Sequence, residues 1–141
     1  MQNLSSLKNQ LSSKDLFDAF KTQLAKDFEE SNFPADFAAA LEPDFISIHE
    51  KITSELQRSG NNSDSNLLRL LYRIDISEAQ LKKYFNRNKT ESQLNVIAEL
   101  IIKRVLQKVV LRQFYKSNLN SQSNQDGYTN SGSHISSKAI D

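Results

Sequence analysis

Residues 90–116, TESQLNVIAELIIKRVLQKVVLRQFYK, run without a glycine or a proline. Leu94, Val96, Ile97, Leu100, Ile101, Ile102, Val105, Leu106, Val109, Val110, Leu111 and Phe114 recur at helical spacing and fill more than one stripe. Glu99, Lys103, Gln107 and Lys108 leave only a narrow wet face. Thr90 with Gln93 matches a capping box at the start. A helix this apolar must be covered by other helices of its chain or share a face with a second chain. A charge placed at Ile101 is expected to unfold the domain. Glu99, Lys103, Arg104 and Lys108 rule the segment out as a membrane span, where each central charge costs about 2.5–3.5 kcal/mol.

The chain upstream divides by its breakers. Residues 14–30 form a predicted helix, capped by Ser12 or Ser13, with Phe17, Phe20, Leu24 and Phe28 on one face. Asn32-Phe33-Pro34 stops it, because a proline disfavours helical geometry at the residue before it. A short helix is expected at 35–41. Another follows at 44–58, with Pro43 in its first turn and Phe45, Ile48, Ile52 and Leu56 on one face. Residues 59–65, SGNNSDS, read as a loop. Residues 66–73 are apolar nearly all round, which predicts a central helix. Ser77 caps a helix at 78–85, and a polar turn leads to residue 90. No window alternates with period two between hairpin turns, so no sheet is expected.

The expected fold class is therefore all-α: a compact bundle of five or six helices with a long apolar C-terminal helix and a disordered C-terminal tail. The bundle spans residues 13–116. Residues 1–12 form a flexible segment or a short docking helix, with Leu4, Leu7 and Leu11 at helical spacing. Residues 117–141 are dominated by Ser, Asn, Gln and Gly and cannot offset their ordering entropy by burial.

Composition excludes more chemistry than it suggests. The glycines, Gly60, Gly127 and Gly132, form no phosphate loop or dinucleotide fingerprint. The chain has no cysteine, hence no thiol nucleophile and no thiolate metal site, which also fits a reducing compartment. The N-terminal segment lacks the apolar run of a secretory leader, so a cytoplasmic protein is expected. His49 stands at the edge of an apolar face, where a half-buried ring is the simplest role. Asp27, Glu29 and Glu30 end one helix, and Asp36, Glu42 and Asp44 crowd the turns. Without a Glu-x-x-His pair they read as a solvated face and not as a dimetal site. No catalytic residue, metal or cofactor is expected.

Charge is divided unevenly. Residues 1–64 hold 11 acidic and 6 basic side chains, a net of −5, and residues 65–116 hold 4 acidic and 11 basic, a net of +7. Arg69 and Arg73 lie one turn apart; Lys82, Lys83, Arg87 and Lys89 surround a turn; Arg104, Lys108 and Arg112 form a stripe. Like charges four apart cost a few tenths of a kcal/mol per pair. The helix dipole rationalises only cations in the last turn. Arg104, Lys108, Arg112, Arg69 and Arg73 are therefore the candidate partner-binding stripe. Three uses are open to it: docking on the acidic half of the same chain, an acidic protein partner, or nucleic-acid phosphates. A helix-turn-helix reading of residues 77–116 fits poorly, because the second helix is too long and too apolar for a groove.

The runs LLRLLYRIDISEAQLKKYF, residues 67–85, and VIAELIIKRVLQKVVLRQFY, residues 96–115, resemble short all-helical bacterial proteins without assigned function. The resemblance covers about the second half of the domain and carries no catalytic motif. It implies a helical fold and no activity. A looser similarity to six-helix death-fold interaction domains rests on helix number and length. The expected function is a non-enzymatic helical interaction or adaptor protein, acting on a protein partner or by self-association as a homo-oligomer, without membrane contact. The alternative is a nucleic-acid-binding module using the basic 65–116 half.

Overall fold

The computed structural model describes residues 4–60, 64–87 and 89–126. Among them the secondary structure is entirely helical: α1 (Leu4–Leu11), α2 (Lys14–Glu30), a 3-10 segment (Asp36–Ala40), α3 (Phe45–Gly60), α4 (Asp64–Ile74), α5 (Glu78–Arg87) and α6 (Gln93–Asp126). No helix among these residues is long and apolar enough to cross a membrane. The chain divides into two compact units, Met1–Val109 and Val110–Asp141.

In the first unit α2 packs on α1, on the 3-10 segment and on α4, and α3 packs on α1 and α4. The docking leucines of the N-terminus account for α1, since Leu7 and Leu11 are buried. The apolar face of α2 buries Phe17, Phe20, Leu24 and Phe28, and that of α3 buries Ile48, Ile52 and Leu56. In this unit α6 buries Val96, Ile97, Ala98, Leu100, Ile101, Ile102, Val105, Leu106 and Val109. Its open side carries Glu99, Lys103, Arg104 and Gln107.

The helix ends are specified locally. The Ser13 hydroxyl accepts the Leu16 N–H at the start of α2. Ser77 and Gln80 form a reciprocal capping box on α5: the Gln80 N–H donates to Ser77 Oγ at 3.1 Å, and the Ser77 N–H to Gln80 Oε1 at 3.0 Å. α2 and α4 end in the same device. Asn32 (φ 68°) and Asp75 (φ 73°) turn left-handed. The Phe33 N–H reaches back to the Phe28 carbonyl and the Asn32 N–H to that of Glu29; Ile76 does the same to Leu71, and Asp75 to Tyr72. These are the paired bonds of a Schellman motif, with Asn and Asp in place of the usual glycine. The Phe28 and Phe33 rings meet 5.6 Å apart across the first.

Several expectations are corrected. The capping box at Thr90 does not form. Ser92 caps α6 instead, its Oγ accepting the Asn95 N–H at 3.2 Å and its carbonyl the Val96 N–H. The 35–41 helix is a 3-10 segment, Asp36–Ala40. Pro43 lies outside the first turn of α3, which Asp44 caps through Oδ2 to the Ser47 N–H at 2.9 Å. The expected loop at 59–65 is shorter, since α3 reaches Gly60 and α4 begins at Asp64; residues 61–63 lie outside the described residues. α4 is not apolar all round in use: Leu70, Leu71 and Ile74 are buried, while Leu68 and Tyr72 face outward.

The final helix runs ten residues further than the 90–116 segment, to Asp126. The added residues carry no helix breaker before Gly127, and a formed helix propagates through them without a new nucleation cost. The rest of the expected tail, 127–141, lies outside the described residues. Described by itself, the second unit holds the C-terminal part of α6, with Leu111, Phe114 and Tyr115 exposed. The Phe114 and Tyr115 rings meet edge to face at 6.3 Å.

Candidate functional site

The basic stripe does not present one surface. Arg73 stands in the last turn of α4 with Nε 3.4 Å from Asp27 Oδ1, and its terminal nitrogen also pairs with Glu30. Lys108 on α6 reaches Asp27 Oδ2 from the other side at 3.7 Å. The Gln23 amide donates to Asp27 Oδ1 at 3.0 Å. Asp27 is only 1% exposed, so one buried carboxylate on α2 ties α4 and α6 together. A lone buried carboxylate is costly, and two cations with one amide make this one tolerable.

Arg104 is engaged elsewhere. Its Nε donates to the Asp75 carbonyl at 3.3 Å, one terminal nitrogen to Asp75 Oδ2 at 2.8 Å, and the other to Gln107 Oε1 at 2.6 Å. Arg104 thereby holds the left-handed residue that closes α4. Three members of the stripe thus contact acidic groups or a helix end of their own chain. Arg69 is exposed on α4, and among the described residues no carboxylate pairs with it. Arg112 is an exposed side chain of the second unit.

Asp27 was not legible as the centre of this cluster, because a carboxylate near a helix end suggests solvent. Its position carried the signal: Asp27 lies three residues after Leu24 and seven after Phe20, on the apolar face of α2. Glu55 follows the same rule, three after Ile52 and seven after Ile48. It is buried too, and its Oε1 accepts from Arg58 at 2.6 Å.

His49 has a structural partner. Its Nε2–H donates to the Asn95 carbonyl in the first turn of α6 at 2.9 Å, and its ring lies 5.9 Å from that of Phe45. Clefts open on the first unit among its described residues. One, of about 500 Å³, is lined by Phe37, Glu50, Lys51, Ser54, Glu55 and Arg58. Another, of about 250 Å³, lies between α5 and α6 against Tyr84, Lys103 and Arg104. Their charged walls are largely paired already, Glu55 with Arg58, Lys103 with Glu99 at 2.8 Å, and Arg104 with Asp75.

Outside these pairs, both α4 and α5 carry open surface. On α4, Leu68 and Tyr72 stand one turn apart, 60% and 88% exposed, with Arg69 beside them. On α5, Leu81, Tyr84 and Phe85 are half-buried, while Lys82, Lys83, Asn86 and Arg87 face solvent. Searches against protein-family models, curated proteins and solved structures find no match to this chain.

Proposed function

We propose that this chain is a non-enzymatic helical interaction protein that docks a protein partner through the outer face of α4. The observation that carries this is the open pair Leu68 and Tyr72, with Tyr72 88% exposed. Tyrosine next to arginine is the composition of interface hot spots, where a ring fills an apolar pocket and a guanidinium meets a carboxylate. Arg69 supplies the cation. The expected partner therefore offers an apolar pocket edged by an acidic side chain. The missing cysteines fit a cytoplasmic setting, and the helical runs at 67–85 and 96–115 fit a bacterial one; both belong to the same proposal.

A photo-crosslinking residue placed at Tyr72 tests it in the protein's own cells. One discrete covalent adduct, lost when Leu68→Ser and Arg69→Glu are added, supports the reading. An adduct pattern unchanged by those substitutions, or none, overturns it. Sedimentation of the purified chain then distinguishes a second copy from a different protein.

A further inference from the structure

We infer that the outer face of α5, with the turn after it, is a second and separate binding surface, one that takes the phosphodiester backbone of nucleic acid. Residues 82–89, KKYFNRNK, contain four cations and no carboxylate. At 100° per residue, Lys82, Lys83, Asn86 and Arg87 fall within about 140° of arc, opposite the half-buried Leu81, Tyr84 and Phe85. Lys89 continues the patch into the turn and is exposed.

Several cations of the first unit have a carboxylate nearby. Lys14 and Lys21 pair with Asp18, Arg58 with Glu55, and Lys103 with Glu99. Arg73, Arg104 and Lys108 of the candidate stripe are spent on Asp27, Glu30 and Asp75. Open cations elsewhere, Lys8, Lys26, Lys51 and Arg69, lie one to a helix, whereas α5 gathers three on one face. Glu78 stands four residues before Lys82, yet no ion pair joins them, and among the described residues none holds Lys83, Arg87 or Lys89. Arg87 lies instead over the Tyr84 ring, 5.9 Å from its centroid. The helix dipole favours Arg87 in the last turn but does not reach Lys82 and Lys83, and Lys83 and Arg87 repel at four-residue spacing.

The choice of ligand follows from what the patch lacks. Protein interfaces deplete lysine and centre on apolar anchors, and no large apolar side chain is exposed on α5. A convex, lysine-rich helix with an amide at Asn86 suits phosphates, which need charge and hydrogen bonds but no pocket. The surface carries no base-reading geometry, so binding is expected to be independent of sequence.

The test is fluorescence anisotropy of the full chain with a labelled 20-nucleotide single strand and with the same length of duplex. Four phosphate contacts predict log–log salt slopes of about −2.8 for the single strand and about −3.6 for the duplex. Between 50 and 200 mM salt that is a loss of roughly 50-fold and 150-fold respectively. Lys82→Gln is expected to reduce the slope by about 0.7–0.9, and Lys82→Glu with Lys83→Glu and Arg87→Glu to abolish binding at 50 mM salt. These side chains are exposed and, among the described residues, meet no carboxylate, so the variants should keep the parent's circular dichroism and melting curve. Lys14→Gln should leave binding unchanged. No binding at 50 mM salt overturns the inference. So does loss of binding through Arg112→Gln with the α5 variants unaffected, or displacement of the strand by polyglutamate at equal charge concentration.

Discussion

Two sets of cations in the second half of the chain have opposite fates. Arg73, Arg104 and Lys108 are spent within the molecule, on Asp27, Glu30 and Asp75. Among the described residues, Lys82, Lys83, Arg87 and Lys89 meet no carboxylate. Both sets contribute equally, charge for charge, to the +7 of residues 65–116. What separates them is whether a carboxylate of another helix or turn lies within reach. Asp27 does, and the cost of leaving it alone on its apolar face recruits cations from two other helices. A charge count therefore locates where an interaction is expected, and only burial tells whether the chain has already satisfied it.

The contrast is broken most severely at its buried end. Asp27→Ala leaves Lys108 without a counter-ion and Arg73 with Glu30 alone, and should cost about 2–3 kcal/mol by urea unfolding. Replacing the three groups together, Asp27→Leu with Arg73→Met and Lys108→Met, should be neutral or stabilising by about 1–4 kcal/mol, because the desolvation penalty goes with the charges. A triple variant as unstable as Asp27→Ala would mean that the ions themselves are indispensable to the packing.

Next come effects near 1 kcal/mol. Ser92→Ala removes the cap of the helix that carries Lys108 and should cost about 1 kcal/mol, whereas Thr90→Ala should stay within about 0.5 kcal/mol. The reverse order in thermal melts would restore the capping box at Thr90. Arg104→Gln breaks a pair whose Asp75 partner is mostly exposed, so its cost should stay below about 1 kcal/mol. At the open end, Lys83→Gln should leave unfolding within about 0.5 kcal/mol of the parent.

The smallest expected effect is the pH response of Lys14 and Asp18, a fully exposed pair. The Lys14 hydrogen bond holds the Asp18 carboxyl below its usual value of 3.8, and the same bond raises Lys14 above 10.5. The Asp18 contribution is present above pH 3.8 and disappears as pH falls through its lowered value. The Lys14 contribution is present below pH 10.5 and disappears as pH rises through its raised value. Lys14→Gln should flatten both edges of the stability profile without shifting its plateau measurably.

The helices were legible because their signals are local. Phe17, Phe20, Leu24 and Phe28 mark α2 by period alone, and Ser77 with Gln80 marks the start of α5. The errors arose where two local signals compete or where a partner is distant. Thr90 and Ser92 both offer a hydroxyl for the cap of α6, and spacing does not choose between them. Leu67, Leu68, Leu70, Leu71 and Tyr72 look uniformly apolar, but only one side of α4 meets the rest of the unit, leaving Leu68 and Tyr72 in water. For the candidate site, the basic residues were visible and their partners were not. Asp27 and Lys108 come from opposite halves of the chain, and no sequence window contains both.

That separation also orders assembly in time. The turn after α2 closes with Phe28, Phe33 and Phe37, neighbours in sequence whose rings meet at 5.0 and 5.6 Å around Phe28, so it can form as soon as α2 does. The Asp27 clamp needs α6, the last helix among the described residues, and long loops close slowly. Until α6 arrives, Asp27 has only Gln23 of α2 and Arg73 of α4 as partners, and the face of α2 on which it lies stays open to water. The clamp is thus a late contact. Weakening it should mainly quicken unfolding and leave the refolding rate nearly unchanged.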